Sequence, residues 1–283
     1  MLNIQPTYTY GSNQLNTGNK PCQANNISGT SPVQVLSFSG NEPDPPYLKE
    51  AVEKFCRESI TAENIKDALK AEMSEARYNH CRRVAIKIAK IVDPELDIKN
   101  LDEKEPKDIV LKAVLAGMLH DYAKDWDEED LLDYSKKHEL ISTPDEEEFP
   151  DKLHAPVSAH KAKNEFGIKD EDILGAIKNH CLGSARPNSQ PLTELQKALL
   201  ITDNMDNAKG NVKNEDPQKR KIRKKTEKTY KDNRDLNETL ITMFGLKIKR
   251  SIENNDLIKP TIVENYNTLI RLNRSRQTKH NDS

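Results

Sequence analysis

Apolar positions recur with a helical period along most of the chain after residue 47. In residues 74–92 the apolar side chains form one stripe, made of Tyr78, Cys81, Val84, Ala85, Ile88 and Val92. Similar stripes, bounded by capping and breaking residues, predict further helices. In the first half of the chain they begin after Thr61, cover 107–121 with Pro106 at the first position, and cover 128–138. In the second half they run from Pro156 to Gly167, after Asp170, from Thr193 to about Met205, and over 226–254 and 260–273. Convincing strand alternation is absent from the sequence after residue 47. The pattern therefore predicts an all-α fold, a helical bundle.

The first 46 residues have a different composition from the rest. Up to Asn41 the only charged side chain is that of Lys20, and Asn, Ser, Gly, Thr, Gln and Pro dominate. Such a segment cannot bury enough apolar surface to offset the conformational entropy that it would lose on ordering. We therefore predict a disordered polar tail over 1–46, a linker with a helix over 47–61, a folded domain over 62–273, and a frayed C-terminal tail over 274–283.

Charge and cysteine content exclude several classes of function. The chain has 283 residues, and 44 Lys and Arg against 46 Asp and Glu give a formal net charge of −2. This balance argues against a general binder of nucleic acid or anionic membranes, because such a binder needs a basic excess. No apolar window reaches the length of a transmembrane helix, no secretory signal is visible, and the four cysteines form no CxxC pair. We expect a cytoplasmic protein with reduced thiols and with neither membrane nor nucleic acid as a partner, and leave a homodimer open.

Two other polar features have ordinary explanations. The run from Lys219 to Lys225 is basic but lacks the interleaved aromatic side chains that stack on bases. We interpret it as a solvated stretch on or before a surface helix, with contact to RNA or an acidic partner as the alternative. His138 and His160 are interpreted as surface residues.

Candidate chemistry comes from histidine and aspartate residues on different predicted helices. His120 and Asp121 lie together at the end of an otherwise apolar helix, where a charged carboxylate is costly unless a cation or a basic side chain pairs with it. His80 lies on or beside the apolar stripe of its helix, and Asp203 is half-buried by the pattern of its own. His154 stands just before the helix that Pro156 opens, and His180 lies near the end of another. Each alone is more often a satisfied polar residue of the core, but together they suit a metal site, which helical bundles build from inward-facing side chains. Mixed imidazole and carboxylate ligands favour Fe, Mn, Zn or Ni over Ca or Mg, and the lack of a thiolate cluster argues against structural zinc.

Four stretches resemble the HD phosphohydrolase superfamily, and more specifically its YqeK branch, the HD-domain hydrolases that split diadenosine tetraphosphate symmetrically. They are Arg77-Tyr78-Asn79-His80, Leu119-His120-Asp121-Tyr122-Ala123-Lys124, Leu153-His154-Ala155-Pro156-Val157, and Asp170-Glu171-Asp172-Ile173-Leu174 leading through to His180. The resemblance covers about 62–272. It implies that the folded part is an HD-domain helical bundle.

The resemblance also implies a dinuclear metal centre. One ion would be held by His80, His120, Asp121 and Asp203, and the second by His154 and His180, with Asp121 bridging. Both ions would be iron, with manganese as the alternative. Lys124 matches a lysine that meets phosphate and is counted with Asp121 as catalytic, and the substrate-binding residues would be Arg77, Lys124 and Arg186.

The implied activity is hydrolysis of the small molecule diadenosine tetraphosphate by metal-bound hydroxide, giving two ADP. Two departures from the family pattern keep alternatives open. The loop after Asp203 lacks the family's arginine, and Arg186 is displaced by an insertion after His180. The alternatives are an HD-type nucleotidase or phosphodiesterase for another nucleotide, and a non-catalytic module that senses nucleotide or metal.

Overall fold

Helices account for all the regular structure in the part of the chain that the computed structural model describes, namely residues 44–97, 105–142, 146–181, 191–206 and 216–281, with side chains to residue 275. In chain order they are α1 (Leu48–Phe55), α2 (Ala62–Glu72), α3 (Glu75–Val92), α4 (Asp108–Leu119), α5 (Glu128–Lys137), the short 3-10 helix Pro150–Lys152, α6 (His154–Phe166), α7 (Glu171–Asn179), α8 (Glu194–Met205), α9 (Pro217–Asn233), α10 (Leu236–Glu253) and α11 (Pro260–Asn281). The predicted all-α fold is confirmed. The predictions for residues 1–43, for Arg186 and for the loop after Asp206 lie outside the described residues.

Capping residues set the ends of several helices where the sequence predicts them. The Thr61 hydroxyl accepts from the backbone N–H of Asn64 at the start of α2, and Thr193 caps α8 in the same way. The Asp170 carboxylate accepts two backbone N–H groups at the start of α7. Gly167 ends α6 in the left-handed region at φ 73°, where an L side chain is strained. These caps satisfy helix-end groups that would otherwise lack partners.

Four helix boundaries differ from the prediction. The single helix predicted over 226–254 is wrong, because Arg234 takes a left-handed φ of 58° and Asp235 then caps a new helix by accepting from Glu238. Pro106 precedes α4, whose N-cap is Lys107, and α6 begins two residues before Pro156. Proline is tolerated throughout the first turn of a helix, so its position does not identify the first helical residue. Helix α11 continues to Asn281, past residue 273, where the predicted helix ends.

Helix α4 lies at the centre of the bundle and contacts α1, α3, α6, α7 and α8. It is buried along almost its whole length, and its tightest neighbour is α3. A Cβ atom on Gly117 would lie 2.6 Å from the Cα of Ala85, so only glycine permits this approach. Because α3, α4, α6, α7 and α8 carry the predicted histidines and aspartates, their packing around α4 gathers those side chains.

Helices α9, α10 and α11 form a second layer over α8. Their apolar side chains join those of α8 in one cluster, made of Leu192, Leu200, Ile201, Ile222, Leu240, Met243, Phe244 and Leu269. This cluster holds the basic helix α9 beside the end of α8. Among the described helices, none combines the length and the apolar character that a membrane crossing requires.

Candidate metal centre

Five of the six predicted ligands are buried where α4 and the helices packed around it end or cross. His80 lies within α3, His120 and His180 are the C-cap residues of α4 and α7, and His154 begins α6. These four histidines and Asp121 are between 0% and 3% exposed. Asp203, near the end of α8, is partly exposed. The fold thus brings side chains from five helices to one place.

The first donor group consists of His80, His120, Asp121 and Asp203. The Nε2 atom of His80 lies 3.0 Å from Asp203 Oδ1 and 3.6 Å from Asp121 Oδ2. The Nε2 atom of His120 lies 3.3 Å from that of His80, 3.5 Å from Asp121 Oδ2 and 3.6 Å from Asp203 Oδ1. Two imidazole nitrogens and two carboxylate oxygens therefore face one point, within reach of a single cation.

The second donor group consists of His154, His180 and Cys181, beside the other oxygen of Asp121. The Nε2 atoms of the two histidines are 3.3 Å apart. They lie 3.3 Å and 3.2 Å, respectively, from Asp121 Oδ1. The Sγ atom of Cys181 lies 3.0 Å from His154 Nε2 and 3.3 Å from His180 Nε2. Asp121 thus presents Oδ1 to one group and Oδ2 to the other.

Each of the four histidines has its Nδ1 atom committed to an acceptor. His120 donates to the Gly117 carbonyl at 2.8 Å, His154 to the Asp151 carbonyl at 2.5 Å and His180 to the Ile177 carbonyl at 2.7 Å. The His80 Nδ1 atom lies 2.8 Å from the Asp206 carboxylate. Because each Nδ1 must donate, the Nε2 lone pairs face one another at about 3.3 Å. That arrangement is repulsive unless a proton or a cation lies between the rings, so the residues present fit a pair of metal ions.

The ionisation of the buried groups also favours positive charge at this site. Burial raises the pKa of Asp121, but His120, His154 and His180 outweigh it and hold that pKa well below its usual range. Burial lowers the pKa of His180, but Cys181 and Asp121 outweigh it and raise that pKa well above its ordinary value. His120 is the exception, since burial lowers its pKa overall. The buried anions therefore favour positive charge among these imidazoles, as a proton or as a bound cation.

Asp206 is a site residue that the sequence analysis missed. Its carboxylate is buried, accepts from His80, and is paired with Arg83 at 3.1 Å and Lys87 at 2.6 Å. Burial raises its pKa, but the bonds from His80, Arg83 and Lys87 hold the pKa well below its usual range. An ionised carboxylate behind a ligating imidazole orients the ring and increases its basicity. Asp206 is the C-cap residue of α8, and its only available signal in the sequence was its spacing, three residues after Asp203.

Two of the three residues predicted to contact substrate lie beside the donor groups. Arg77 donates to Asp121 Oδ2 at 2.6 Å and pairs with Asp125 at 3.3 Å. Lys124 Nζ lies 3.3 Å from both the Asp151 carbonyl and His154 Nδ1. Arg77 is therefore already hydrogen-bonded to Asp121, the carboxylate that contacts both donor groups, whereas Lys124 lies at the edge of the second group.

A cleft of about 630 Å³ opens over the two donor groups. Asp121, His154, His180 and Asp203 line it together with seven basic side chains, those of Lys124, Lys152, Lys219, Arg223, Lys247, Arg250 and Lys259. Asp206 and Asp216 line it as well, and Asp216 is paired with Arg250 at 2.9 Å. Lys219 and Arg223 belong to the basic run that was interpreted as a solvated stretch. Lys219 is exposed to solvent, as that interpretation predicts. The interpretation is wrong for Arg223, which the packing of α9 against α8 and α10 buries.

Lys259, between α10 and α11, is the basic residue of the cleft with the least compensation. Its Nζ atom is buried, has no hydrogen-bond partner in the described part of the chain, and lies 4.0 Å from the centre of the Phe149 ring. Burial and the neighbouring charge of Lys152 lower the pKa of Lys259 to about 8. A buried ammonium group without an acceptor is costly, and an anion in the cleft would relieve that cost.

His138 and His160 are half-buried rather than on the open surface. Their rings lie 4.6 Å apart, and both contact Tyr134, whose hydroxyl lies 3.0 Å from His160 Nδ1. The contact arises because α5 packs against α6. Neither histidine is among the residues that line the cleft.

The part of the chain that carries both donor groups matches a known family. An HD domain family model matches residues 77–208. A symmetrical bis(5'-nucleosyl)-tetraphosphatase of Halalkalibacterium halodurans is 30% identical over 203 residues, which are 71% of this chain and 93% of that protein. The protein of the same name from Staphylococcus aureus is 33% identical over 152 residues, which are 51% of this chain and 66% of that protein. A crystal structure from Clostridium acetobutylicum, described as a predicted HD superfamily hydrolase involved in NAD metabolism, is similar with a TM-score of 0.57 and 27% identity, over 75% of this chain and 98% of that one.

Proposed function

This chain belongs to the HD domain family, as the resemblance in its sequence predicted, and on that premise we propose that it hydrolyses diadenosine tetraphosphate symmetrically into two ADP. Two relatives bear the name of that activity, and the alignment with one spans 93% of its length. The observation that carries the proposal is that the two carboxylate oxygens of Asp121 face two different donor groups in a cleft lined by basic side chains. A carboxylate in that position suits a dinuclear centre, and the basic walls suit a polyphosphate.

The proposed centre uses the two donor groups separately. His80, His120, Asp203 and one oxygen of Asp121 would hold one ion, and His154, His180 and the other oxygen would hold the second. A pair of bound cations lowers the pKa of a shared water toward neutrality and neutralises charge on the attacked phosphoryl group. Because imidazole is neutral, a histidine-rich centre keeps net positive charge for phosphate. We propose iron, with manganese as the alternative, since both accept imidazole and carboxylate ligands.

The basic side chains of the cleft would divide the work of holding the substrate. Lys124 stands beside His154 and would stabilise negative charge that develops on the attacked phosphoryl group. Lys152 and Lys259 would meet phosphates further along the chain of the substrate. Arg77 already contacts two carboxylates, so we propose that it first orients Asp121 and meets phosphate only secondarily.

Product analysis tests the proposal directly. Protein loaded with iron or manganese should convert diadenosine tetraphosphate into ADP alone, whereas release of AMP and ATP, or no release, would contradict it. A panel of other nucleotides tested in parallel distinguishes an HD nucleotidase or phosphodiesterase, since a faster substrate in that panel would replace this one. Full cellular function in a variant with both His120→Ala and Asp121→Ala would favour the sensing module.

Lys259→Met should raise the KM for diadenosine tetraphosphate about 10- to 100-fold with kcat little changed, because a charged hydrogen bond to phosphate is lost. Methionine keeps the length of the side chain over Phe149 without the ammonium group. The matched control is Lys49→Met, on the exposed face of α1, where the lysine is paired with Glu53 at 3.7 Å. Steady-state kinetics of both variants measure KM and kcat. An unchanged KM in Lys259→Met would show that Lys259 does not contact phosphate.

A further inference from the structure

Cys181 lies inside the second donor group although it belongs to no predicted ligand set. It follows His180, the C-cap residue of α7, so the end of that helix delivers an imidazole and a thiol in succession. The Sγ atom lies 3.0 Å from His154 Nε2 and 3.3 Å from His180 Nε2. The three donor atoms are close enough together to bind one ion.

Hydrogen bonding among uncharged groups does not account for this convergence. His154 and His180 use Nδ1 to donate to backbone carbonyls, so both present Nε2 to the thiol. A thiol has one proton and can donate it to only one of two acceptors. A cation, by contrast, satisfies two imidazole nitrogens and a sulfur at the same time. Asp121 Oδ1 lies beside the same two imidazoles, at 3.2 Å from His180 Nε2 and 3.3 Å from His154 Nε2.

We propose that Cys181 is a thiolate ligand of the ion held by His154, His180 and Asp121. The inference rests on the proposed dinuclear centre and changes the chemistry of one half of it. As the metal–sulfur bond forms, the thiol proton passes to solvent, because only a thiolate ligates. The remaining described cysteines are outside the group, with Cys56 at the end of α1 and Cys81 buried in α3.

A thiolate ligand makes the two halves of the centre unequal. The Cys181 half gains one negative charge and a soft donor, which favours zinc or iron over manganese and magnesium. The other half keeps only nitrogen and oxygen donors. We therefore expect the Cys181 half to bind zinc in strong preference to manganese, and Cys181→Ser to reduce that preference.

X-ray absorption at the zinc edge tests the ligand assignment without any measurement of activity. The full chain, freed of metal and loaded with zinc, should show a sulfur neighbour at about 2.3 Å besides nitrogen and oxygen neighbours at about 2.0–2.1 Å. Cys181→Ser should lose the sulfur neighbour, and the control Cys56→Ser should keep it. Absorption of the cobalt-loaded chain gives a second readout, since a thiolate-to-cobalt charge-transfer band should be present in the wild type and in Cys56→Ser alone.

The wild-type measurements decide the inference even if Cys181→Ser does not fold. Absence of sulfur from the zinc shell of the wild type, or its persistence in a folded Cys181→Ser variant, would overturn the proposal. The result is separate from the proposed activity. If sulfur binds the metal but the chain leaves diadenosine tetraphosphate intact, Cys181 is a ligand and the proposed substrate is wrong. If the chain hydrolyses diadenosine tetraphosphate but no sulfur binds the metal, the substrate is right and Cys181 is not a ligand.

Discussion

Asp121→Asn should reduce hydrolysis of diadenosine tetraphosphate by about 10³-fold or more, because a dinuclear centre contributes several kcal/mol to the barrier. The amide keeps the shape of the side chain but replaces one oxygen with a nitrogen that only donates. Oδ1 and Oδ2 face different donor groups, so the substitution deprives one of the two groups of its Asp121 oxygen. Metal analysis after dialysis should find less than the two ions per chain that the proposed centre predicts for the wild type.

The control for this variant is Asp127→Asn. Asp127 is the exposed N-cap residue of α5, makes no capping bond with its side chain, and does not line the cleft. It should leave both the rate and the metal content unchanged. Hydrolysis by Asp121→Asn at close to the wild-type rate would show that the carboxylate does not join the two halves of the site.

The parts of the site that the sequence predicted are those with a local signal. The His120-Asp121 pair ends an apolar helix, and His180 ends another that Asp170 begins, so the pattern of each helix already places these side chains at a helix end. The capping residues were predicted for the same reason, since a cap depends on atoms three residues away. The meeting of these side chains at one point depends on the packing of helices around α4, which no local pattern shows. It was expected only because of the family resemblance.

The residues that the sequence analysis missed depend on contacts between distant segments. Nothing near Lys259 shows that Phe149 and Lys152 lie beside it, more than 100 positions earlier in the chain. Cys181 follows a predicted ligand, but its approach to His154 needs α6 and α7 to be packed together. The break at Arg234 was missed because a non-glycine residue in the left-handed region has a weak sequence signature.

The close approach of α3 and α4 links the stability of the bundle to the geometry of the first donor group. His80 belongs to α3, and His120 ends α4 three residues after Gly117, whose carbonyl accepts from His120. The distance between these helices therefore sets the distance of 3.3 Å between the two Nε2 atoms. A side chain inserted at this contact must separate the ligands as well as the helices.

Gly117→Ala should destabilise the metal-free protein by about 3 kcal/mol, because its Cβ atom would meet the Ala85 backbone at 2.6 Å and no side-chain rotation relieves that contact. Metal affinity should also fall, by about 10- to 100-fold, since the carbonyl that orients His120 moves with the helix. The matched control is Gly245→Ala in α10, where the added Cβ atom would lie 3.6 Å from Tyr266 and should be neutral or stabilise by up to about 1 kcal/mol. Urea unfolding of both variants measures the first effect, and metal titration measures the second. Equal stability of the two variants would mean that α3 and α4 can separate freely, and the two histidines would then owe their spacing to the bound ion rather than to the fold.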